Sequence, residues 1–226
     1  MIHYSSGCII YTYKNNDFSS SLWGATTKTV TVKNDINLKK IRFFIEFMPG
    51  VLHAITGINQ SELCDIQAQV GEVDKHLSYS LIHAMEISNN IDDMSSMVNM
   101  IFLKAIEKKN RQHVVIESTL YRIKATNGRL TIKELSANEY ISERHLNRLF
   151  NEYIGINAKM FSRLVRVNHS INIFKKIDYK SCLNIAQILG YFDQSHFIRD
   201  FKQICDVSPN LFLKNMSDFY NEPFKY

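Results

Sequence analysis

The chain has 226 residues, of which 45% are hydrophobic and 22% charged, and its net charge is +5. This composition is typical of a globular protein and excludes a disordered one. No apolar run of about 18 residues is present, and no basic segment leads into an apolar one at the start, so neither a membrane span nor a signal peptide is predicted. The cysteines favour free thiols in a reducing cytoplasm because they are scattered. They are Cys8, Cys64, Cys182 and Cys205.

The basic residues are concentrated in the second half of the chain. Residues 1–110 contain 10 Lys and Arg against 11 Asp and Glu, a net charge of −1, whereas residues 111–226 contain 17 against 11, a net charge of +6. A local excess of positive charge indicates a polyanionic partner, and nucleic acid is the commonest one.

Residues 1–110 are predicted to form an α+β domain. Three runs rich in β-branched and aromatic residues favour strands. Pro49-Gly50 ends this pattern, and helical periods follow it. The predicted strands are Cys8 to Tyr13, Thr26 to Val32 and Arg42 to Phe47, and the predicted helices are Val73 to Ile87 and Met94 to Lys108.

A helix over residues 72–87 would place Glu72, His76 and His83 on one face, because their spacings suit 3.6 residues per turn. Such a group could form a metal or acid–base site, but a solvated helix face is the simpler interpretation. The sequence has neither a glycine-rich phosphate loop nor a nucleophile elbow. We therefore predict no enzyme, no metal site and no cofactor.

From Arg111 onward the pattern is helical throughout. Asn127-Gly128 ends the first helix, since both residue types accept a positive φ. Short loops separate the later helices, so residues 111–226 are predicted to be an all-α module of about seven helices. The predicted helices are 111–126, 131–138, 142–154, 157–176, 181–190, 193–205 and 208–216.

Two segments of this module repeat. Residues 142–150 align with residues 193–201, each with an N-cap residue first, His fourth, Arg seventh and Phe ninth. Each copy follows a short helix and a tight turn, so the sequence predicts two helix-turn-helix units. The second helix of each unit, which would lie in the major groove, is called its reading helix. Helix 157–176 is the spacer between the units, and it is expected to set the two reading helices about 34 Å apart.

The second helix of each unit has an apolar stripe and a polar outer face. The outer faces carry Arg and Asn, which can pair with guanine and adenine edges in the major groove. His145 and His196 stand beside the stripes with no third residue at ligand spacing, so packing or a phosphate contact is favoured over a metal. The predicted stripes are Leu146, Leu149, Phe150 and Tyr153 in the first unit and Phe197, Phe201 and Ile204 in the second.

The motifs Gly190 to Phe197 (GYFDQSHF), Ser208-Pro209 and Arg144 to Phe150 (RHLNRLF) identify a resemblance. Through them, residues 111–216 resemble the DNA-binding module of the AraC/XylS family of bacterial transcription regulators. The resemblance implies that exposed residues early in each second helix contact bases. Further basic residues are expected near phosphates, with a plain solvated face as the alternative. The predicted base contacts are Arg144, Asn147, Arg148, Gln194, Ser195, His196 and Arg199, and the predicted phosphate contacts are Lys159, Arg163, Arg166 and Lys202.

The module departs from that family at four positions. The family usually has Ala where Ser136 stands, often Gly where Tyr140 stands, Pro where Ala158 stands and Gly where Asp206 stands. The missing turn glycine is expected to change the angle between the first pair of helices. That change would affect affinity more than function, because the reading surface remains.

The first half is similar to an uncharacterised domain that often precedes such modules and is presumed to sense a ligand or mediate dimerisation. The match runs through Arg42 to Gly50 and Glu62 to Asp65, and the start of that domain is expected to be lacking. We therefore predict a bacterial, sequence-specific, DNA-binding transcription regulator, an activator, in the cytoplasm at the nucleoid. Duplex DNA is the predicted partner, while RNA polymerase, a small-molecule effector and a second copy are left open. The alternatives are a repair-type enzyme targeted to DNA and an adaptor that kept the helical fold without DNA binding.

Overall fold

The computed structural model describes residues 6–15, 17–27, 41–109, 113–174 and 185–214. A four-stranded antiparallel sheet with helices is followed, in the described residues from 113 on, by helices without strands, so the predicted fold class is confirmed. The strands are β1 (Cys8–Lys14), β2 (Asp17–Trp23), β3 (Ile41–Glu46) and β4 (Gln67–Ala68). The helices are α1 (Val51–Thr56), α2 (Val70–Val73), α3 (Lys75–Ile87), α4 (Ile91–Lys109), α5 (Val114–Ala125), α6 (Ile132–Asn138), α7 (Glu143–Ile154), α8 (Ala158–Phe174), α9 (Ile185–Ile188), α10 (Gln194–Cys205) and α11 (Pro209–Lys214), with a 3₁₀ turn at Gln60–Glu62.

The sheet has the strand order β3-β1-β2-β4, so β1 is a central strand. Cys8 of β1 lies opposite Trp23 of β2 on one side and opposite Glu46 of β3 on the other. Ile9 and Tyr11 of β1 share one face, as the two-residue period of a strand requires, and both are buried. Both β1 and β3 match the predicted strands.

Strand β2 was not predicted, because its Ser19-Ser20-Ser21 segment lacks the residues that favour strands. Its pairing with β1 over seven residues decides its conformation instead. The predicted strand Thr26 to Val32 lies outside the described residues from residue 28 on, and its first two residues are not in a strand. Thr27 instead donates hydrogen bonds from its backbone N–H and its hydroxyl to the carboxylate of Asp65, at 2.7 and 2.6 Å.

The prediction of one helix over residues 72–87 is wrong. The backbone is extended at Asp74, with φ of −152°, and the Asp74 side chain caps the new helix α3. Glu72 belongs to the preceding helix α2, where its carboxylate takes part in the cap of that helix. His76 and His83 lie on α3, so the three residues do not share one helix face.

The first hydrophobic core lies between the sheet and helices α1, α3 and α4. The strand residues Ile9 and Leu22 pack with the helix residues Leu52, Leu81 and Val98, all at most 4% exposed. Burying such an aliphatic side chain contributes about 1.5–3 kcal/mol relative to exposing it. This core therefore holds the front helices on one face of the sheet.

The second core surrounds the long helix α8. Phe161 of α8 packs edge-to-face on Phe150 of α7, and Phe174 of α8 packs on Phe201 of α10. Within residues 113–174 and 185–214, the predicted seven helices are present as α5 to α11. The predicted segments 175–176, 181–184 and 215–216 fall outside the described residues. None of the described helices is long and apolar enough to cross a membrane.

The front part contacts the C-terminal end of α7. Gly155 ends α7 with φ of +93°, and a Cβ there would lie 2.7 Å from the carbonyl oxygen of Gln60. Only glycine accepts both the left-handed backbone and this close approach. Nearby, the ring of His53 lies 4.2 Å from the ring of Tyr153. The 3₁₀ turn and α1 are thereby packed against α7, while the predicted boundary at residues 110 and 111 lies outside the described residues and stays a prediction.

Candidate nucleic-acid interface

The two helix-turn-helix units are α6–α7 and α9–α10, and their second helices begin in the same way. The hydroxyl of Ser142 accepts the N–H of His145 at 3.2 Å, and Oδ1 of Asp193 accepts the N–H of His196 at 2.6 Å. Each cap satisfies a backbone donor that has no partner within its helix. The predicted N-caps are confirmed, and they fix the first turn of each reading helix.

Helix α6 of the first unit also has a reciprocal cap. The N–H of Glu134 donates to Oγ1 of Thr131 at 3.2 Å, and the N–H of Thr131 donates to Oε2 of Glu134 at 2.8 Å. These hydrogen bonds from Thr131 hold the pKa of the Glu134 carboxyl below its usual range. The short helix therefore has a defined start even though it is only seven residues long.

The first helices of both units end in the same hydrogen-bond pattern. A backbone N–H just beyond the helix donates to the carbonyl of Ser136 in the first unit, at 3.1 Å, and to that of Ala186 in the second, at 2.8 Å. The residue before that N–H is left-handed in both units, Tyr140 with φ of +55° and Gly190 with φ of +74°. Tyr140 therefore adopts the left-handed conformation that the missing glycine would have supplied, and a changed angle between the two helices stays a prediction.

The second unit has one more residue in its turn than the first. Tyr140 stands two residues before the cap Ser142, whereas Gly190 stands three residues before the cap Asp193. The additional position brings Phe192 to the surface, where it is 93% exposed. The units therefore share their helices and caps but differ in the loop that joins them.

The reading helices bury the predicted stripes and expose most of the predicted contact residues. In α7, Leu146, Leu149 and Phe150 are at most 3% exposed, and in α10 Phe197 and Phe201 are at most 4% exposed. Tyr153 is half-buried against the same core. Six of the predicted base-contact residues are exposed on the opposite faces: Arg144, Arg148, Gln194, Ser195, His196 and Arg199.

Asn147, the remaining predicted base contact, is half-buried and already has a partner. Its Oδ1 accepts the N–H of Ala158, the first residue of α8, at 3.3 Å. This hydrogen bond ties the middle of α7 to the start of the spacer helix. The carbonyl oxygen of Asn147 therefore helps to hold the unit together, a role that the sequence did not indicate, and a base contact by its amide group stays a prediction.

The two repeated arginines have different surroundings. Arg148 of α7 donates to Oε2 of Glu152 at 3.2 Å, and its other terminal nitrogen lies 3.4 Å from Nδ1 of His145. Arg199 of α10 donates from Nε to the backbone carbonyl of Ser195 at 3.3 Å, a hydrogen bond that involves neither of its terminal nitrogens. A guanidinium must present two donors to recognise guanine, so Arg199 is better prepared for this contact than Arg148.

Arg163 was expected to contact a phosphate, but the structure gives it an internal partner. Its Nε donates to Oδ1 of the buried Asp200 at 2.6 Å, and its Nη2 donates to Oε1 of Gln203 at 2.6 Å. The hydroxyl of Tyr191 donates to the other oxygen of Asp200 at 2.7 Å. Burial and the Asp200 carboxylate together raise the pKa of Tyr191, so this hydroxyl stays protonated and remains a donor.

Arg166 was also expected at a phosphate and is also committed internally. Its Nη2 donates to the carbonyl oxygen of Gly128 at 2.6 Å, and its guanidinium lies 4.9 Å from the centre of the Tyr191 ring. Arg163 and Arg166 thus connect α8 to the turn before α6 and to the second unit. Both arginines also line the cleft between the units, and their phosphate contacts stay predictions, as do those of the exposed Lys159 and Lys202.

An open cleft of about 990 Å³ lies between the two units. It is lined by basic side chains of the spacer helix and of the second unit, among them Lys159 and Arg199. Arg129 and Lys133 line it as well. They were not predicted from the sequence as DNA contacts, and their position beside the start of α6 was the one feature that could have indicated them. Acidic groups such as Asp193 and Asp200 are also in the lining, and both are engaged as a cap or an ion pair. Basic side chains outnumber acidic ones in the lining of the cleft, which suits a polyanion.

No metal centre competes with this interpretation among the residues that the structure describes. In that part of the chain, no three His, Cys, Asp or Glu side chains come together as they would around a metal ion. His76 has Nδ1 3.1 Å from the hydroxyl of Ser80, and His83 stacks on Tyr79 with ring centres 6.0 Å apart. Both histidines therefore have ordinary neighbours on α3.

Comparison with known proteins agrees with this geometry. A family model described as "Helix-turn-helix domain" matches residues 135–215. An uncharacterised HTH-type transcriptional regulator of Escherichia coli (strain K12), YidL, is 29% identical over 109 residues, which cover 48% of this chain and 36% of that protein. An uncharacterised HTH-type transcriptional regulator of Haemophilus influenzae is 29% identical over 86 residues, which cover 38% of this chain and 28% of that protein.

The chain thus spans about a third of the length of the curated relatives it matches. Neither relative's name says whether it activates or represses, so activation stays a prediction. The structure of ToxT from Vibrio cholerae aligns over 94% of this chain and 91% of that one, with a TM-score of 0.48 and 14% identity. The resemblance predicted from the motifs is confirmed for residues 135–215, which match a helix-turn-helix domain.

Proposed function

We propose that this chain is a sequence-specific DNA-binding transcription regulator that places α7 and α10 in successive major grooves of duplex DNA. The observation that carries the proposal is the repeated presentation of arginine. Arg148 and Arg199 stand at the same position of two helices, each with a side-chain cap at its start and a buried stripe in the same register. An exposed Arg on a helix that fits the major groove can pair with both acceptors of guanine.

The ion pair of Arg163 and the hydrogen bond of Arg166 support the proposal because two reading helices must keep a fixed separation. Successive major grooves on one side of DNA lie about 34 Å apart, so a loose connection would lose the gain from binding both. Arg163 of α8 holds the second unit through Oδ1 of Asp200, and Arg166 holds the turn before α6 through the carbonyl oxygen of Gly128, with donor-to-acceptor distances of 2.6 Å in both cases. The spacer helix therefore acts as a rigid connection between the two units.

The lysines around the cleft would neutralise phosphates of the DNA backbone. Lys159 and Lys133 line the cleft between the units, and Lys202 is exposed on α10. Contacts of this kind position the protein without reading sequence. The front part, with its sheet and helices α1 to α4, is proposed to sense a ligand or to mediate dimerisation.

An adaptor that kept the fold without DNA binding is the second candidate, and it predicts that the outward arginines are lost or covered. Arg144, Arg148 and Arg199 are all exposed. This exposure favours the DNA-binding proposal over the adaptor.

The test is selection of binding sites from random duplex DNA with the purified full chain. We expect a site with two conserved blocks about 10 base pairs apart, and affinity that falls with salt by about 0.9 log units per log unit for each phosphate neutralised. A double variant, Arg148→Ala with Arg199→Ala, should no longer prefer the selected sequence over random duplex DNA. Lys104→Ala, exposed on α4 in the front part, is the control for loss of positive charge. Absence of any enriched sequence, or a flat salt response, would contradict the proposal.

A further inference from the structure

A second cleft, of about 620 Å³, lies on the outer face of α7. Five of the six residues that line it belong to α7, and they include the predicted base contacts Arg144, Asn147 and Arg148. The sixth is Asn59, which belongs to the front part and precedes the 3₁₀ turn. One exposed side chain of the front part therefore stands directly beside the first reading face.

The orientation of the Asn59 amide is determined by its neighbours. Its Oδ1 accepts the backbone N–H of Ser61 at 3.1 Å and the hydroxyl of Ser61 at 2.8 Å. A backbone N–H can only donate, so the oxygen of Asn59 must face the turn and the NH₂ group must face away from it. Within the part of the chain that the structure describes, this NH₂ group donates to no residue, and both of its hydrogens are available.

The position of Asn59 relative to α7 is also fixed. The neighbouring Gln60 is 3% exposed, and its carbonyl oxygen approaches Gly155 so closely that no Cβ fits there. The side chain of Gln60 donates to the carbonyl of Ile58 at 2.9 Å, and Nδ1 of His53 lies 2.9 Å from the same oxygen. The loop before the turn is thus closed on itself and packed on the end of α7, which keeps Asn59 at one place beside the reading face.

We propose that Asn59 is a further DNA-binding residue, and that its NH₂ group donates to a phosphate oxygen of the strand that borders the groove occupied by α7. This inference rests on the proposed function, because it takes α7 to lie in the major groove. A donor beside a helix in that groove meets the phosphate backbone that forms its wall, and Asn side chains are among the groups that bind phosphates. The front part would then contribute to affinity directly, and equally for all sequences.

The test uses the full chain on the duplex selected for it. Asn59→Asp keeps the oxygen that accepts from Ser61, so the turn is preserved, and replaces the NH₂ donor by a negatively charged oxygen. We expect affinity to fall about tenfold or more, with base preference and melting temperature unchanged. Asn99→Asp, exposed on α4, introduces the same charge change in the front part and is the matched control. Asn59→Ser, which keeps a capping oxygen without adding charge, should weaken binding by a smaller factor.

The outcomes separate this inference from the proposed function. If the unchanged chain binds its selected site and both Asn59→Asp and Asn59→Ser bind as tightly as Asn99→Asp, the role of Asn59 is overturned while the function stands. If Asn59→Asp alters the preferred base at one position, the assignment to a phosphate is overturned. If the Asp variant lowers the melting temperature, Asn59→Ser decides, and unchanged binding by a folded Ser variant overturns the inference. Failure of the unchanged chain to bind any DNA overturns the function and the inference together.

Discussion

The two helix-turn-helix units use the left-handed backbone in opposite places. The first unit has Tyr140 in its turn and Gly155 after its reading helix, and the second has Gly190 in its turn and Asp206 after its reading helix. Each unit therefore has one glycine and one residue with a side chain in this conformation. The hydrogen bonds that close each helix end therefore impose the left-handed backbone conformation, and glycine only lowers the conformational energy of adopting it.

The units also differ in how their arginines are used. In the second unit, a buried carboxylate, Asp200, connects α10 to Arg163 of the spacer and to Tyr191. In the first unit, the ion pair of Arg148 and Glu152 lies within one helix and is largely exposed. The pair of Arg148 and Glu152 lies on the proposed reading face, whereas the pair of Arg163 and Asp200 stabilises the arrangement of the helices.

The largest expected effect is on the buried ion pair. Asp200→Ala leaves Arg163 without its partner and Tyr191 without its acceptor, so the free energy of unfolding should fall by about 3–5 kcal/mol. Glu152→Ala, at the exposed pair of the first unit, should change it by less than about 1 kcal/mol. Urea denaturation of both variants measures the difference, and equal effects would contradict the assignment of a structural role to Asp200.

The next effect concerns base reading. Arg199→Ala should relax base preference by about 1–3 kcal/mol at one or two positions, with the fold unchanged. Arg148→Ala should do the same about 10 base pairs away, by a smaller amount, because Arg148 must first give up Glu152. Binding to libraries randomised at single positions measures both. If the variants unfold more easily and keep their base preference, these arginines are structural.

A smaller effect is expected at the left-handed positions. Tyr140→Gly should raise the free energy of unfolding by about 0.5–1 kcal/mol, since the Tyr140 side chain is 96% exposed and little contact is lost. Asp206→Gly should raise it less, because aspartate tolerates this conformation better. A loss of stability in the Tyr140 variant would show that the turn stores no strain.

An effect of similar size is expected at alkaline pH, and it distinguishes the ends of the two reading helices. Cys205 of α10 stands where α7 has Ile154, and burial raises the pKa of the Cys205 thiol to about 12. The unfolded chain releases this proton near its ordinary pKa of 9.0. The folded state therefore loses relative stability as pH rises above that value, by about 1 kcal/mol at pH 10. Unfolding measured from pH 8 to 10 should be less pH-dependent in Cys205→Ala, and equal slopes would contradict the burial of this thiol.

The sequence by itself determined the features that depend on residues a few positions apart. The caps at Ser142 and Asp193, the buried stripes and the helix end at Asn127-Gly128 involve neighbours within about one helical turn. These features located both helix-turn-helix units and the exposed Arg148 and Arg199. The strand β1 was predicted as well, because its segment is rich in β-branched and aromatic residues.

Tertiary structure decided whatever depends on residues far apart in the chain. The serine-rich strand β2 forms because β1 lies beside it, and no local preference of its residues indicates this. Arg163 and Arg166 looked like solvent-facing bases on a helix until partners 37 and 38 residues away, Asp200 and Gly128, were brought to them. Asn59 reaches the first reading face only because Gln60 packs on Gly155 at the end of α7. Contacts at such separations follow from how the helices pack, and spacing along the chain carries no record of them.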